Sequence, residues 1–426
     1  MTATHSVAGR MPAGIASKPG KWPTLRALLV ASALATAEPT RLTEQQAIEF
    51  ALQRASLRAI ESSELSIADS EVLAAGTPAN PSLSIGQENT GNGASQTREF
   101  TLEIQQTVDL AGKRPLYKAA AEQRAEAKRL AQFTQRAELA AEVRKAHAAA
   151  LYRKRMEQLQ GAWLQRLESA HGVVTKLAKG GEVAGFDRRR LERELQNAQA
   201  RKALAAGEAE RAQAALASLI GQPMAQAGEA SGELLPADLP PLAGLLASQQ
   251  QRDDFSALEA SALAFDREKA AASKLRIPDL TIGIGGKRTD SAGQNENGVL
   301  LNVSIPIPLF DQGQAAVQRA SAGAAATRAE REMKLQRQQA ELQALWQQAR
   351  NQLLTAESYR QQSAPAARQL SRIAEIAYRA GESGILELLD AYRGELDAAI
   401  TALDYAYQAR ITRIELDTLA GAKRYE

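Results

Sequence analysis

Cysteine is absent from the 426 residues of the chain, and aromatic residues make up only 4% of it. The lack of cysteine excludes disulfides, thiolate metal sites, a catalytic thiol and a lipidated cysteine, and it suits an oxidising compartment. Alanine, glutamine, glutamate, arginine and leucine dominate instead. This composition favours long helices over a large globular core.

Acidic residues are absent from residues 1–37, where basic residues precede an apolar run that ends in the small residues Ala35-Thr36-Ala37. This order is typical of a secretory signal peptide, so residues 1–37 are predicted to be removed. A buried helix of the mature protein is the alternative interpretation. A start at Met11 instead of Met1 would give a signal of more usual length.

Long apolar runs are also absent, since no stretch approaches the roughly 18 apolar residues that a transmembrane helix requires. If the chain enters a membrane, it must therefore do so with strands. The formal net charge is +3, and residues 1–37 carry four of the basic residues, so the remainder carries 3 − 4 = −1. The mature chain is not basic, and no nucleic-acid partner is indicated.

No catalytic or metal-binding constellation is visible in the sequence. His147 and His171 lie on one predicted helix without a second histidine or a paired carboxylate at a turn's spacing, and the methionines are scattered. The glycine cluster Gly283–Gly286 lies in a predicted strand that no helix follows, so it does not indicate a nucleotide loop. We therefore expect no cofactor and no bound metal, and an enzyme is the least favoured class of function.

Several short segments recur about 200 residues apart and in the same order. Gly112 recurs as Gly313, and Gly181-Glu182 recurs as Gly381-Glu382. Such a series of landmarks at a nearly constant offset predicts an internal duplication. A proline-rich linker near residues 232–241 separates the two copies.

Residues 38–232 form the first predicted repeat and residues 233–426 form the second. Each repeat is predicted to contain a helix, a β-hairpin and long helices, with the hairpins at 81–108 and 278–307. The polar residues of 89–98 and 288–297 predict a loop between the two strands of each hairpin. The stretch from Pro115 to Lys179 contains no internal proline and is apolar at steps of three and four residues. It predicts an amphipathic helix about 98 Å long, which suits a coiled-coil rod or tube.

Two further helices are predicted from local signals. One begins at Thr43, with Gln46 completing a capping box, and runs to about residue 75. The other runs from Gln314 to Arg379 and carries a kink at Pro365.

The hairpin sequences alternate between apolar and polar residues. In the first hairpin Phe100, Leu102 and Ile104 alternate with polar residues that include Thr101 and Glu103. An alternation over about 10 residues suits a tilted membrane-spanning strand, while a half-buried hairpin of a soluble domain is the alternative. Four strands cannot close a barrel, for which about 8 are needed. The barrel is therefore expected to be shared between several copies of the chain. Two copies would give about 8 strands and an interior filled by side chains, whereas three copies would give about 12 strands and room for a channel.

The signal peptide, the duplicated hairpin-and-helix unit and two turn motifs, Gly181–Asp187 and Tyr378–Asp390, together resemble the TolC family of outer-membrane channels. Within that family, Val108–Arg114 is similar to the branch of CzcC, which exports divalent heavy-metal cations. The resemblance implies a mainly α-helical homotrimer in the outer membrane of a Gram-negative bacterium. A 12-stranded barrel, three times four strands, would contact outer-membrane lipid and continue into a periplasmic α-helical tube.

The same resemblance implies the partners and the functional residues. The partners are a periplasmic adaptor protein and an inner-membrane RND-type pump. The helical turns form the tip that docks the adaptor, and the resemblance assigns this tip to Gly181, Gly185, Gly381 and Gly384. Acidic residues just after the second turn ring the constriction, and these positions correspond to Glu387 and Asp390.

A gate at the tip is also implied by the resemblance. Tyr378 and Asp187 correspond to residues that hydrogen-bond between neighbouring coils when the tip is closed. Ser383 departs from the family pattern, because some relatives carry an arginine there that makes a second link. Cation preference follows if Glu387 and Asp390 from three chains surround a narrow bore.

Three functions remain open at this point. The favoured one is a passive exit duct for divalent metal cations in a tripartite efflux system. The same fold would also serve as a duct for drugs and small molecules or for type I protein secretion. A periplasmic coiled-coil scaffold is the third, and it predicts a soluble product in place of a detergent-dependent trimer.

Overall fold

The computed structural model describes most of the chain beyond the predicted signal peptide, which lies outside the described residues. The described residues are 41–91, 96–179, 185–291, 293–421 and 424–425. All of them belong to one unit, Pro39–Glu426. The two predicted repeats therefore share one unit.

Helices, a strand pair and long helices follow one another twice along the chain. The first half contains β1 (Arg41–Leu42), α1 (Glu44–Leu52), α2 (Ala55–Gly76), β2 (Ser82–Gly91), β3 (Gln96–Val108), α3 (Lys113–Lys179), α4 (Gly185–Ile220) and β4 (Glu229–Ala230). The second half contains α5 (Leu242–Gln250), α6 (Asp253–Ala272), β5 (Leu280–Ser291), β6 (Gln294–Ser304), α7 (Gln314–Ser358), a π-helical turn (Tyr359–Ser363), α8 (Ala364–Arg379) and α9 (Ile385–Ala420).

The first helix begins with the predicted capping box. The backbone N–H of Gln46 donates to the Thr43 hydroxyl at 3.3 Å, and the backbone N–H of Thr43 donates to Oε1 of Gln46 at 3.0 Å. The prediction of one continuous helix to about residue 75 is wrong, because a two-residue break separates α1 from α2. Arg54 lies in this break and donates to the carbonyl of Leu219, in the last turn of α4, at 3.1 Å.

An arginine caps the last turn of both α4 and α9. Arg252 repeats the role of Arg54, since it donates to two carbonyls in the last turn of α9 at 2.8 and 2.9 Å. Each arginine lies against a glycine with positive φ, Gly221 at 71° and Gly421 at 64°. A Cβ at either glycine would strike the arginine side chain, so the turn needs glycine for its backbone and for its space.

The long helices extend as predicted, with one irregularity. The 67 residues of α3 span about 100 Å at 1.5 Å per residue. The second long helical segment starts at Gln314 and ends at Arg379, and its interruption lies just before Pro365. Proline has no backbone N–H to donate to the carbonyl one turn earlier in the helix, so the regular α-helical hydrogen bonding is interrupted there. The irregularity takes the form of the π-helical turn at Tyr359–Ser363.

The four long strands form one antiparallel sheet in the order β2-β3-β5-β6. The β3–β5 pairing joins the two halves of the chain, with Glu103 opposite Gly285. In the described chain, β2 and β6 each pair on one side only. A short parallel pair, β1 with β4, ties the N-terminal segment to the end of the first half.

The second hairpin is shorter than predicted at its helical end, spanning 280–304 instead of 278–307. Its last strand ends at Ser304 because Pro306 and Pro308 have no N–H to give to a ladder. The alternating apolar pattern continues past this point, but the backbone pairing does not.

The hairpin strands are longer than predicted at their other ends. The first hairpin spans 82–108, and its pairing continues to Gly91 opposite Gln96. The second continues to Ser291 opposite Gln294. Most of the polar residues in the predicted loops 89–98 and 288–297 therefore belong to paired strands. The ends of strands that lie in water carry polar residues, just as loops do, so composition alone does not separate the two.

Three apolar clusters hold the helices together. The first joins α1, the middle of α3 and the end of α4. The second joins the C-terminal part of α3 to the start of α4 and the start of α9. The third joins α5, α7 and the end of α9. Across the described residues, no helix has both the length and the apolar character needed to cross a membrane.

Candidate functional site: an amphipathic sheet and a helical tip

One face of the four-stranded sheet is apolar and exposed. Its side chains come from alternate positions of all four strands, and the register places them side by side. The exposed apolar residues of this face are Leu83, Ile85, Phe100, Leu102, Ile104, Ile282, Ile284, Val299, Leu301 and Val303. An exposed apolar patch that runs across all four strands of a sheet indicates contact with a membrane or a partner.

The opposite face of the sheet is polar and carries charge. Glu99 and Lys287 form an ion pair across β3 and β5 at 2.6 Å. Thr101 donates to the carbonyl of Gly86 at 3.4 Å. Glu103 lies near the middle of this face and is buried. The two faces therefore have the character expected of a sheet between lipid and water.

Four helix ends meet at the other functional region, which we call the tip. Trp163 on α3 and Tyr392 on α9 pack edge to face, with ring centroids 6.4 Å apart. The buried residues of the tip cluster are Trp163, Leu164, Leu167, Ala170, Val174, Leu191, Ala198, Ile385, Leu388, Leu389, Tyr392 and Leu396. Apolar contact between α3, α4 and α9 thus holds these three helices together at the tip.

The structure brings Tyr378 close to Asp187 within one chain. Tyr378 packs on the tip cluster, and its hydroxyl is buried without a hydrogen-bond partner among the described residues. Burial, reinforced by the negative charge of Asp187, raises the pKa of the Tyr378 hydroxyl. The hydroxyl therefore stays protonated at neutral pH and is available as a donor.

Glu387 and Asp390 are both exposed on the first turns of α9. Their spacing of three residues places them on the same side of the helix. Glu387 also lies in the first turn of α9, where a carboxylate interacts favourably with the helix dipole. Its Oε2 lies so close to the capping Gly384 that a Cβ there would be 2.9 Å away.

The predicted tip glycines have separate structural roles. Gly381 follows the end of α8 with φ of 77°, and its N–H donates to the carbonyl of Tyr378 at 3.1 Å, as in a helix C-cap. Gly384 is the N-cap of α9, and Gly185 is the first residue of α4. Gly181 lies outside the described residues.

Two ion pairs at the tip could not be predicted from the sequence, because the two residues of each pair lie about 200 residues apart in the chain. Arg166 on α3 holds Glu395 on α9 with both arms of its guanidinium, one of them at 3.0 Å. The hydrogen bonds to Glu395 raise the pKa of Arg166. Arg393 on α9 pairs with Glu194 on α4. Burial acts to raise the pKa of Glu194, but the hydrogen bonds and positive charges of Arg393 and Arg193 together outweigh burial and lower that pKa.

The two histidines of the mature chain lie apart. His147 is buried, and its Nε2 lies 2.9 Å from the carbonyl of Leu42. Burial lowers the pKa of His147, so its ring is neutral at neutral pH and donates to that carbonyl. His171 lies 3.9 Å from Glu192. In the part of the chain that the structure describes, no group of three or more histidines and carboxylates is arranged to hold a metal ion.

Comparison of the sequence with protein families and curated proteins agrees with this geometry. The outer membrane efflux protein family matches residues 246–422. The chain is 28% identical over 368 residues to the cobalt-zinc-cadmium resistance protein CzcC of Cupriavidus metallidurans, and the match covers 84% of this chain and 85% of CzcC. It is also 28% identical over 256 residues to the nickel-cobalt-cadmium resistance protein NccC of Alcaligenes xylosoxydans xylosoxydans, covering 58% of this chain and 57% of NccC.

Comparison with solved structures identifies the fold. The chain is similar to CusC, whose crystal structures concern folding and transmembrane channel formation, with a TM-score of 0.70 and 19% sequence identity. The match covers 88% of this chain and 91% of CusC. The sheet faces, the long helices and these similarities together show that the chain has the fold of CusC, that it is similar to the outer membrane efflux protein family over residues 246–422, and that it is similar in sequence to CzcC.

Proposed function

We propose that the chain is an outer-membrane channel of the TolC type and forms the exit duct of a tripartite efflux system for divalent metal cations. An inner-membrane RND-type pump and a periplasmic adaptor protein deliver the cargo, and the chain acts as a passive conduit, without catalysis. The similarity to CzcC over 84% of the chain supports this cargo. In this proposal the pump and the adaptor determine which metal cation is exported, and the duct provides only the route across the outer membrane.

The observation that carries the proposal is the amphipathic sheet. Its apolar face is suited to lipid, and its polar face, with Glu99 paired to Lys287, is suited to water. The free sides of β2 and β6 lack ladder partners within the described chain, and a membrane tolerates no open sheet edge. Three copies supply twelve strands, enough for a barrel with a channel.

Two arginine substitutions test the faces of this sheet and the cargo together. Leu102→Arg places a charge on the lipid face at a cost of about 2–4 kcal/mol near the membrane midplane. Thr101→Arg places the same charge on the water face. In a strain that lacks the gene, we expect Thr101→Arg to restore growth in zinc, cobalt or cadmium and Leu102→Arg to fail, with a matching loss of trimer from the outer membrane.

Drugs and dyes in the same growth panel provide the control for cargo. Deletion of the gene is expected to leave tolerance of these compounds unchanged. Sensitivity to drugs alone would assign the duct to small molecules. Equal trimer yields for the two arginine variants would contradict the assigned faces.

We infer that Glu387 and Asp390 line the constriction of the assembled tip. Both are exposed on the first turns of α9, and three chains bring six carboxylates around the bore, which favours cations. In planar bilayers, Glu387→Gln with Asp390→Asn should lower the ratio of cation to anion permeability. It should also weaken block by trivalent cations added on the tip side.

A charge-conserving exchange provides the control for these two acids. Glu387→Asp with Asp390→Glu keeps every carboxylate and should keep the selectivity of the parent. If the neutral double variant also keeps its reversal potential and its block, these residues do not lie at the constriction.

We also infer that Tyr378 and Asp187 close the resting gate. The buried Tyr378 hydroxyl has a raised pKa and no partner among the described residues, so it is free to donate to Asp187 of a neighbouring coil. Such a bond to a charged group is worth about 1.5–3 kcal/mol. Ser383 offers no charged second link, so fewer contacts hold the gate.

Tyr378→Phe removes the hydroxyl and keeps the ring on the tip cluster. We expect a higher single-channel conductance in planar bilayers, because one gate contact per chain is lost. Tyr405→Phe is the control, since Tyr405 packs edge to face on Tyr359 with centroids 5.4 Å apart. Equal conductance of Tyr378→Phe and the parent would remove the hydroxyl from the gate.

The turns beside the gate are the proposed docking tip for the adaptor. Gly185, Gly381 and Gly384 begin or end helices at this tip, and Gly181 is assigned to it from the sequence. Glycines keep the turns narrow, so that the backbone is accessible to a partner.

A further inference from the structure

Glu103 is an unusual charged residue of the sheet. It is only 8% exposed, and its Oε1 has no hydrogen-bond partner among the described residues. A buried carboxylate oxygen without a partner is costly, and such a group in a native structure calls for an explanation. The explanation must lie in the position that the strand register gives to this side chain.

Two glycines of β5 make room for the Glu103 carboxylate. Glu103 stands opposite Gly285, and its carboxylate lies over Gly283. A Cβ at Gly283 would overlap Oε1 of Glu103, and a Cβ at Gly285 would overlap the backbone of β3. The glycines therefore let the Glu103 side chain lie flat against the sheet, because a larger residue at Gly283 or Gly285 would displace that side chain from the sheet surface.

The other charges of this face lie nearer the hairpin ends than Glu103. Glu99 is paired with Lys287, which is the one basic residue that the register places on the polar face of the described strands. Glu88 stands directly opposite Glu99, and Glu296 lies at the same level of this face. Glu103 is thus the uncompensated charge in the central part of the sheet.

We propose that Glu103 is a specificity-determining residue of the barrel. Three copies form a ring of carboxylates that favours permeant cations over anions, and Gly283 and Gly285 keep this ring flat against the wall so that it does not narrow the bore. The inference rests on the proposed trimeric channel. It adds a second acidic ring, in the membrane part of the duct, to the one at the tip.

Planar-bilayer recordings of the full-length channel test the ring. Glu387→Ala and Asp390→Ala are placed in every protein first, so that the tip acids do not mask the barrel. In this background the ratio of potassium to chloride permeability should exceed one, and Glu103→Gln should bring it towards one. Glu88→Gln removes the same charge near the hairpin end and should have a smaller effect.

Neutral and steric controls separate the ring from general changes of the barrel. Glu99→Gln with Lys287→Gln removes a balanced pair and should leave the permeability ratio unchanged. Gly283→Ala should push the carboxylate into the bore, so conductance falls while cation preference remains. Gly286→Ala is its control, because a Cβ there meets no atom within 4 Å, and its conductance should equal that of the background.

The outcomes distinguish this inference from the proposed function. A background protein that forms no channel at all contradicts the proposed function. A channel that conducts, but whose permeability ratio is already one or is the same in Glu103→Gln, overturns the role of Glu103 and leaves the duct in place. If Glu103→Gln does not assemble, equal conductance of Gly283→Ala and Gly286→Ala overturns the inference.

Discussion

The free edges of β2 and β6 impose the constraint on which the rest of the molecule depends. A sheet with one apolar face is suited to lipid, but lipid offers no hydrogen bonds to an open strand edge. One chain supplies four strands in the order β2-β3-β5-β6, which is too few for closure. In the proposed trimer further copies complete the ladder, and closure of the barrel then decides which face of each strand meets water.

The arrangement of the strands also determines where the long helices lie. Each hairpin leads into a long helix, and α3 alone runs for about 100 Å. In the proposed trimer the polar face of the sheet and the exposed acids of α9 line one path around the axis. The tip at the far end is held mainly by its apolar cluster, since partly exposed ion pairs such as Arg393 with Glu194 contribute roughly 0–1 kcal/mol each. Those pairs fix how α9 lies against α4.

Local patterns predicted much of this fold from the sequence. The capping box of Thr43, the extent of α3 and the alternation at Phe100, Leu102 and Ile104 all depend on near neighbours in the chain. The break at Arg54 was missed because its cause is a carbonyl in the last turn of α4, 165 residues away in the sequence. The strand ends were missed because polar strand residues in water have the composition of a loop.

The candidate functional residues also divide into those that local sequence patterns predict and those that depend on contacts between distant residues. The spacing of Glu387 and Asp390 is a local property that places both on one side of α9, and both are exposed in the described chain. The pair Arg166 and Glu395 bridges 229 residues, and the burial of Glu103 depends on a register that sets it beside Gly283. Neither has a signal in the sequence until the strands and helices are in place.

The number of chains in the assembly tests the central claim most directly. Native mass spectrometry of the mature protein, extracted from outer membranes in detergent, measures that number without further assumptions. We expect a mass of three chains, and we expect this trimer to persist only in detergent or lipid. A single chain that remains monodisperse in detergent-free buffer would contradict it, because the sheet edges and the apolar face would then need no partner.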